Sequence, residues 1–212
     1  MSELFAKMAE SLIAGKVDEV SSLTQEALDG GQSPQDILQQ GLLAGMDVVG
    51  QRFKANEMFI PEVLRCAKCM HGAMEILRPL LVETGVKTAG TLVIGTVKGD
   101  LHDIGKNLVG MMFEGAGFQV VDIGIDQEPQ AFVDAIKEHQ AELFGMSALL
   151  TTTMPKMGET INAIKEAGIR DQVKIMIGGA PVTAEFAQEI GADAYASNAA
   201  SAVDTGKELL GL

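Results

Sequence analysis

The chain has 212 residues, 47% of them hydrophobic, which is enough to bury one large core or two small ones without disulfide bonds. Its formal net charge of −13 at pH 7 argues against nucleic acid and anionic membranes as partners, because both attract positive charge. No apolar run approaches the roughly 20 residues of a membrane span, and no signal-peptide core follows the first residues, so we expect a cytoplasmic protein.

The first 85 or so residues show helical periodicity throughout. In the segment "SPQDILQQGLLAGMDVVGQRF", apolar residues recur at spacings of one, three and four. Ser33 before Pro34 predicts an N-cap followed by proline in the first turn. Short connections between the helices are typical of a compact four-helix bundle. The four helices are predicted near residues 2–14, 17–29, 34–54 and 61–83.

The only two cysteines, Cys66 and Cys69, fall in the fourth predicted helix. Their CxxC spacing places both thiols on one helix face. A metal or redox role would be supported by a second cysteine pair or by a histidine on that face, and His71 lies off it. We interpret the two residues as buried thiols of a reducing compartment and leave any chemical role open.

The pattern changes after "ETGVKTAG", where short β-rich runs begin to alternate with helical stretches. Nearly continuous apolar strands separated by helices are what a parallel sheet covered on both faces requires. We therefore predict a helical domain over residues 1–88 and a doubly wound, flavodoxin-like or Rossmann-like α/β domain over residues 89–212. Its five predicted strands are "TLVIGTV", "FQVVDIG", "LFGMSAL", "VKIMIGG" and "AYAS".

Three loops at the carboxyl edge of this sheet carry polar residues or glycines. The first strand ends near Val97, so Asp100, His102 and Gly105 lie on the loop after it. The loop "SALLTTTMPK" follows the third strand and "IGGAP" follows the fourth. Folds of this type bind ligands at that edge, which makes the loops a candidate site. The structural alternative is that Asp100 and the threonines only cap the helices that follow.

Four segments carry a family resemblance. "GDLHDIGKNLVG", "MSALLTTTM", "IGGAPV" and "ADAYASNAASAV", in this order after a helical domain, resemble the cobalamin-binding module of methionine synthase. They are also similar to the small corrinoid proteins of methylamine, methanol, betaine and O-demethylase systems. The resemblance covers nearly the whole chain. It implies a cytoplasmic protein of one-carbon metabolism that binds cobalamin or a related corrinoid.

The resemblance also implies an activity and partners. A substrate:corrinoid methyltransferase would place a methyl group on Co(I), converting cob(I)alamin to methylcobalamin. A methylcorrinoid:acceptor methyltransferase would then pass the methyl group from methyl-Co(III) to a thiol or tetrahydrofolate, and a reductive activase would restore Co(I). The chain would be a methyl-carrier subunit and not a self-sufficient enzyme. The methyl donor, the acceptor, the corrinoid variant and the oligomeric state stay open.

The resemblance assigns residues as well. It implies that His102 is the lower axial ligand of cobalt and that Asp100 is its hydrogen-bond partner. A carboxylate on one ring nitrogen fixes the tautomer and raises the basicity of the other, which suits a metal ligand. Thr153 matches a serine that extends this relay in methionine synthase, so it keeps the hydroxyl and adds a methyl group. The other implied cofactor contacts are Asp103, Gly105, Ser147, Leu149, Thr151, Gly178, Gly179 and Ala199.

The helical domain acquires an expected role from the same resemblance. The upper face of a corrin needs shielding from water, and methionine-rich helices form an adaptable surface. We expect the domain to cap the cofactor, with Met58 and Phe59 as candidates for the covering face. A cap that opens for partner enzymes needs a hinge, which we place in the linker from Thr84 to Gly90.

Three alternatives remain at this stage. The small subunit of an adenosylcobalamin mutase shares the motif but usually lacks a helical domain. A light-sensing or regulatory cobalamin protein calls for a DNA-binding segment, and the sequence has no basic patch. A flavodoxin-like FMN or signalling domain calls for a phosphate-binding loop after the first strand, where "TVKGDLHDIG" offers an aspartate and a histidine.

Overall fold

A computed structural model of the chain describes residues 3–83 and 88–212. It contains two compact units, which we call the helical unit and the α/β unit. The helical unit comprises Met1–Thr88 with Glu114–Gly117, and the α/β unit comprises Ala89–Phe113 with Phe118–Leu212. Of the expected hinge, residues 84–87 lie outside the described residues. The domain boundary at residue 88 and the capping role stay predictions.

The four predicted helical stretches of the first unit are present, with one correction. Ser33 caps the third stretch as predicted, because its Oγ accepts a hydrogen bond from the Asp36 amide at 3.0 Å. That stretch is not one regular helix, since Ile37–Leu43 is a π-helix. The 3.6-residue pattern does not reveal such a widening, because the apolar positions stay on the same side. The helices are α1 Glu3–Ile13, α2 Val17–Asp29, α3 Pro34–Asp36, α4 Ala44–Lys54 and α5 Ile60–Glu83.

Small residues bring the helices of this unit close together. A Cβ on Gly41 of the π-helix would lie 2.5 Å from the Met8 sulfur of α1, so glycine allows the two helices to pack closely. Cys66 and Cys69 are free and buried, which confirms their interpretation as buried thiols, and Cys66 Sγ donates to the Ile13 carbonyl at 3.4 Å. No group of residues suited to hold a metal ion occurs in the described part of the chain.

Two candidates for the covering face differ in exposure. Phe59 is 66% exposed at the start of α5, as a surface contact requires. Met58 is buried, so it offers little exposed surface, and its place on a covering face stays a prediction. Met46 and Met70 are buried as well.

The second unit contains the predicted parallel sheet in the order β2-β1-β3-β4-β5, which confirms the flavodoxin-like arrangement. All four strand pairs are parallel. The strands are β1 Thr91–Thr96, β2 Gln119–Asp122, β3 Leu143–Ser147, β4 Lys174–Gly178 and β5 Ala194–Tyr195. The helices are α6 Ile104–Gly115, α7 Pro129–His139, α8 Pro155–Glu166, α9 Ala184–Ile190 and α10 Ala199–Leu210, with a 3₁₀ turn at Arg170–Gln172.

Both faces of the sheet are packed, as in a doubly wound fold. Phe144 of β3 meets Phe132 of α7 on one face, with ring centroids 5.1 Å apart. On the other face, Phe113 of α6 lies so close to α10 that a Cβ on Gly206 would come within 2.7 Å of its ring. Register aligns Thr96, Ser147 and Gly178 across the sheet, so β1, β3 and β4 end side by side.

Within the described residues, no helix combines the length and apolar character needed to cross a membrane.

Candidate functional site

The loop between β1 and α6 holds the histidine against a buried carboxylate. His102 Nδ1 lies 2.7 Å from Asp100 Oδ1, and the His102 amide donates to the same oxygen at 3.1 Å. The Asp100 side chain is fully buried, whereas the His102 side chain is 49% exposed. With a proton on Nδ1 shared with the carboxylate, Nε2 carries the lone pair on the exposed side of the ring, which is the arrangement of a metal-binding histidine.

The second oxygen of Asp100 ties this loop to the one after β3. Oδ2 accepts hydrogen bonds from the amides of Leu149 at 2.7 Å and Leu150 at 3.3 Å. The buried hydroxyl of Thr153 donates to it at 2.7 Å and also lies 2.9 Å from the Leu150 carbonyl. The contacts form a continuous path from Thr153 through Asp100 to His102. The relay itself stays a prediction.

These contacts set the charge of Asp100. Burial is the largest single influence and raises the pKa of its carboxyl. The hydrogen bonds from the Leu149 amide, the Thr153 hydroxyl and His102 together outweigh burial and hold that pKa well below its usual range. Asp100 is therefore a carboxylate at neutral pH and polarises the imidazole that it contacts.

The helix-capping alternative is not what the contacts favour. Both Asp100 oxygens are engaged by the residues of the two loops, and Thr153 bonds to Asp100 instead of capping α8. The N-cap of α8 is Met154, which makes no side-chain capping bond. Asp103 supports the start of α6, since its Oδ2 accepts from the Asn107 side chain at 3.0 Å. Asp103, an expected cofactor contact, thus has an exposed carboxylate next to the start of α6.

Large apolar side chains are exposed around the histidine. Several exposed apolar side chains that lie close together are typical of a binding surface, because contact of apolar area with water is unfavourable until a partner covers it. Two of the four side chains flank His102 in sequence and two lie on the loop that donates to Asp100. Leu149 is among the expected contacts, and the other three were missed although they lie within the quoted segments. The four, with their exposed fractions, are Leu101 (68%), Ile104 (74%), Leu149 (41%) and Leu150 (42%).

The glycines at this edge have different local reasons. Gly179 has φ +133°, and a Cβ there would lie 1.9 Å from the Ala148 carbonyl oxygen, so the backbone of the chain itself requires glycine. A Cβ on Gly178 would lie 3.2 Å from the Ala196 carbonyl oxygen. A Cβ on Gly105 would meet no protein atom within 4 Å. Gly105 therefore borders open space beside His102, where a bound group has room.

The remaining expected contacts lie at the same edge of the sheet, after β3 and after β5. Ser147 is the last residue of β3 and is partly buried, and Thr151 is exposed on the loop that follows. Ala199 is buried in the first turn of α10, beyond β5 and next to the N-cap Asn198. The structure thus brings Asp100, His102 and Thr153 into one hydrogen-bonded group.

Two supporting residues were missed by the sequence analysis. Thr96 is buried at the end of β1, and its hydroxyl donates to the His102 carbonyl at 2.9 Å. Lys106 is also buried, with its ammonium bonded to Asp122 and, at 2.6 Å, to Asn107 Oδ1. A signal existed for Lys106, because it precedes Phe113 by seven residues and so falls on the apolar face of α6.

Comparison with known proteins gives matches over nearly the whole chain. A family model described as a B12 binding domain matches residues 90–204, and a second model of that description matches residues 4–78. Dimethylamine corrinoid protein 1 of Methanosarcina acetivorans is 44% identical over 98% of both chains. A solved cobalamin-binding protein of Desulfitobacterium hafniense has a TM-score of 0.79 at 32% identity, covering 99% of both chains.

A further solved structure is the methanol:cobalamin methyltransferase complex of Methanosarcina barkeri. One of its chains matches with a TM-score of 0.89 at 29% identity, covering 100% of this chain and 81% of that one. The match includes the helical unit as well as the α/β unit. The fold and both segments of the chain are therefore similar to proteins of corrinoid chemistry.

Proposed function

The chain belongs to the family of B12-binding corrinoid proteins, and we propose that His102 is the residue through which it ligates cobalt. It binds a corrinoid and carries methyl groups in a methyltransferase system. The mutase-subunit and regulatory alternatives do not fit, because the helical region also matches a B12 binding domain and the relatives are corrinoid proteins over their full length. The FMN alternative fails for the same reason.

The observation that carries the ligand assignment is the path of hydrogen bonds that ends at His102. Thr153 and the Leu149 amide hold Asp100 as a carboxylate, and Asp100 holds the proton of the ring on Nδ1. Nε2 is left as a neutral donor atom, which a cobalt ion accepts. Weakening the bond to Asp100 lowers the basicity of Nε2, so the relay adjusts the strength of the ligand.

The surface around His102 fits the shape and polarity of a corrin. The exposed side chains of Leu101, Ile104, Leu149 and Leu150 offer apolar contact to a broad ring, and Gly105 borders open space. When bound, the corrinoid supplies a cobalt centre that accepts and releases a methyl group. The apolar side chains would hold the ring, and the loop after β1 would present Nε2 of His102 to its cobalt.

We assign the rest of the cofactor to the carboxyl edge of the sheet. The order of the strands changes direction between β1 and β3, and folds of this type bind ligands at that crevice. The residues proposed to contact the cofactor tail are Asp103, Gly105, Ser147, Thr151, Gly178, Gly179 and Ala199. The hydroxyls of Ser147 and Thr151 would supply hydrogen bonds there.

The protein works with methyltransferases, and the identity of each one is part of the proposal. The relatives named above act in dimethylamine and methanol systems, so we propose a small methylated amine or alcohol as the methyl source. A second methyltransferase would take the methyl group to a thiol or folate acceptor, and a reductive activase would return cobalt to its lowest oxidation state. The chain would act as a carrier subunit that depends on these partners.

Reconstitution with hydroxocobalamin tests the ligand assignment. The protein is labelled with 15N, because the dimethylbenzimidazole of the cofactor can itself bind cobalt and would split the electron paramagnetic resonance signal into triplets through its 14N. After reduction to Co(II), a 15N ligand from the protein gives a doublet superhyperfine splitting instead. We expect this splitting in the wild-type protein and its loss in His102→Ala. His139→Ala is the matched control, since His139 ends α7 away from the loops of the site.

Two results would contradict the proposal. Failure of the wild-type protein to retain any corrinoid after gel filtration would overturn corrinoid binding by this site. Retention with unchanged splitting in His102→Ala would leave binding intact and remove His102 as the cobalt ligand.

A further inference from the structure

We propose that Asp126 is a positioning residue for the histidine ligand, acting on the backbone of the turn that carries Asp100. This inference rests on the proposed function, because it concerns how His102 is presented to cobalt. Asp126 lies in the connection between β2 and α7 and belongs to none of the sequence motifs singled out above. It lies 24 residues after His102 in the chain.

The backbone of Asp126 is the first indication. Its φ of 55° is in the left-handed region, which residues other than glycine rarely occupy. In the described part of the chain, only Asn56 and Gln140 share this feature, and both lie directly after a helix, where the conformation is common. Asp126 does not end a helix. Strain of this kind persists where surrounding contacts hold it in place.

The contacts that hold Asp126 are with the turn before His102. Its amide donates to the Asp100 carbonyl at 3.1 Å, and its Oδ1 accepts from the Gly99 amide at 2.8 Å. Asp126 thus binds two consecutive residues, one through its backbone and one through its side chain. The bond from Gly99 is the main cause that lowers the pKa of the Asp126 carboxyl, so the acceptor is ionised at neutral pH.

The connection between β2 and α7 runs alongside the end of β1 and forms backbone hydrogen bonds with it, as a neighbouring strand does. The Thr96 amide donates to the Gly124 carbonyl at 2.9 Å, and the Gln127 amide donates to the Thr96 carbonyl at 3.0 Å. Residues 124–127 therefore track residues 96–100 along their length. Asp126 is the member of this connection that reaches Asp100 itself.

Asp100 consequently lies between two loops with different tasks. The loop after β3 binds its carboxylate through Leu149 and Thr153, and the connection after β2 binds its backbone through Asp126. A metal ligand must be held within a fraction of an ångström of its working position, so both the carboxylate and its backbone need support. Without Asp126, the carboxylate keeps its donors but the turn at 99–100 loses its outer anchor.

A simpler explanation is that Asp126 only pairs with Lys98. Lys98 Nζ lies 3.4 Å from Asp126 Oδ1 and 3.2 Å from Glu128 Oε1, and the Lys98 and Asp126 side chains are 40% and 41% exposed. Exposed pairs of this kind contribute little. The two explanations are separable, because Lys98→Met removes the pair and leaves the bonds of Asp126 to Gly99 and Asp100.

The experiment compares three variants of the full chain loaded with hydroxocobalamin and reduced to Co(II). Asp126→Gly tolerates the positive φ but removes the side-chain acceptor. Asp126→Asn keeps an oxygen for the Gly99 amide in a residue that also tolerates this conformation. We expect the ratio of histidine-bound to histidine-free cobalt to fall several-fold in Asp126→Gly and to stay near the wild-type value in Asp126→Asn and Lys98→Met.

Amide hydrogen exchange of the cofactor-free wild-type chain tests the same contacts without a substitution. We expect slow exchange at the Gly99 and Asp126 amides, and at least ten-fold faster exchange at Gly99 in Asp126→Gly. Fast exchange at both amides in the wild-type chain would overturn the inference even if Asp126→Gly does not fold.

The outcomes separate this inference from the proposed function. Absence of the splitting from a protein nitrogen in the wild-type protein would contradict the proposal that His102 ligates cobalt, whatever the variants show. Splitting in the wild type with an unchanged ratio in Asp126→Gly would overturn the role of Asp126 and leave the function standing. An equal fall in Asp126→Gly and Lys98→Met would assign the effect to surface charge and would also overturn the role.

Discussion

Asp100 is the residue on which the geometry of the site depends. A buried carboxylate is costly unless hydrogen bonds replace its lost hydration. Here both oxygens are bonded, Oδ1 to the His102 ring and amide and Oδ2 to Leu149, Leu150 and Thr153. The carboxylate therefore serves two purposes, since it orients the histidine and joins the loops that follow β1 and β3.

We expect Asp100→Asn to retain the corrinoid and to shift the reduction potential of its cobalt. An amide has one oxygen, so whichever way it turns it loses acceptors for the donors that face it. The bond to His102 or the bonds to Leu149 and Thr153 must weaken, which we expect to lower the free energy of unfolding by about 1–3 kcal/mol. Spectroelectrochemistry measures the potential and urea unfolding measures the stability. Asp134→Asn, on the exposed face of α7, is the control, and an unchanged potential would remove Asp100 from the relay.

Thr153 offers a test of the hydroxyl by itself. Thr153→Val keeps the shape of the side chain but removes the donor to Asp100 Oδ2, so we expect a loss of about 1–3 kcal/mol in the unfolding of the cofactor-free protein. Thr153→Ser keeps the donor and should retain a cobalt potential close to that of the wild type. Equal stability of the valine variant and the wild type would show that the hydroxyl is not needed to hold Asp100.

The ends of the strands determine which residues meet. Because β1 and β3 are neighbours in the sheet, their loops face each other although about 50 residues of chain separate Asp100 from Leu149 and Thr153. The connection after β2 approaches the same turn from the other side of β1. The sheet order therefore places His102 between two loops that both support it.

We expect alanine substitutions at two glycines of this edge to have opposite effects on the stability of the cofactor-free protein. Gly179→Ala should lower the free energy of unfolding by at least about 2 kcal/mol, because of its positive φ and the 1.9 Å approach to the Ala148 carbonyl oxygen. Gly105→Ala meets no protein atom and lies in α6, so the cofactor-free protein should be as stable or more stable. We expect Gly105→Ala to weaken corrinoid binding in a titration. Unchanged affinity would remove Gly105 from the proposed cofactor contacts.

We expect the two buried cysteines of α5 to make the protein less stable at alkaline pH. Burial raises the pKa of the Cys66 thiol and raises the pKa of Cys69 to about 11, with the charge of Cys66 adding to the second shift. The unfolded chain ionises first, near the ordinary thiol value of about 8.5. The contribution of the two buried thiols to the free energy of unfolding is therefore fully present below that pH and is lost as the pH rises towards 11.

Urea unfolding at pH 8 and pH 10.5 measures this dependence in the wild type and in Cys69→Ala. We expect the stability to fall less with pH in the alanine variant, because the other titrating groups are common to both proteins. An equal fall would show that Cys69 does not contribute to the alkaline transition.

At the scale of the whole molecule, all residues of the candidate site lie in residues 89–212. We therefore expect that segment, expressed without residues 1–88, to bind hydroxocobalamin and to show the nitrogen splitting of His102. The same segment carrying His102→Ala is the control for the signal. A folded segment that retains no corrinoid would place essential binding residues in the first 88 and contradict the expectation that residues 89–212 suffice for binding.

Patterns local in the chain predicted most of the fold. The helical stretches, the strands and their parallel order follow from hydrophobic periods that neighbouring residues display. The π-helix at Ile37–Leu43 and the burial of Met58 were not predicted, because both depend on tertiary packing. Asp100, His102 and Thr153 were singled out by motif and resemblance, whereas Thr96 and Asp126 lie outside the segments that carry the resemblance, and Lys106 lies inside one of them without an assigned role.

The sequence by itself determined that the chain would form a helical region followed by a parallel α/β sheet, and that Asp100 and His102 would lie on the first loop of that sheet. Their spacing is short, so local chemistry suffices to place them. Only the tertiary structure decided that Asp100 binds Thr153 instead of capping α6, and that Asp126 holds its backbone. Those contacts join residues 53 and 26 positions apart (153 − 100 and 126 − 100), and the sheet order alone brings them together.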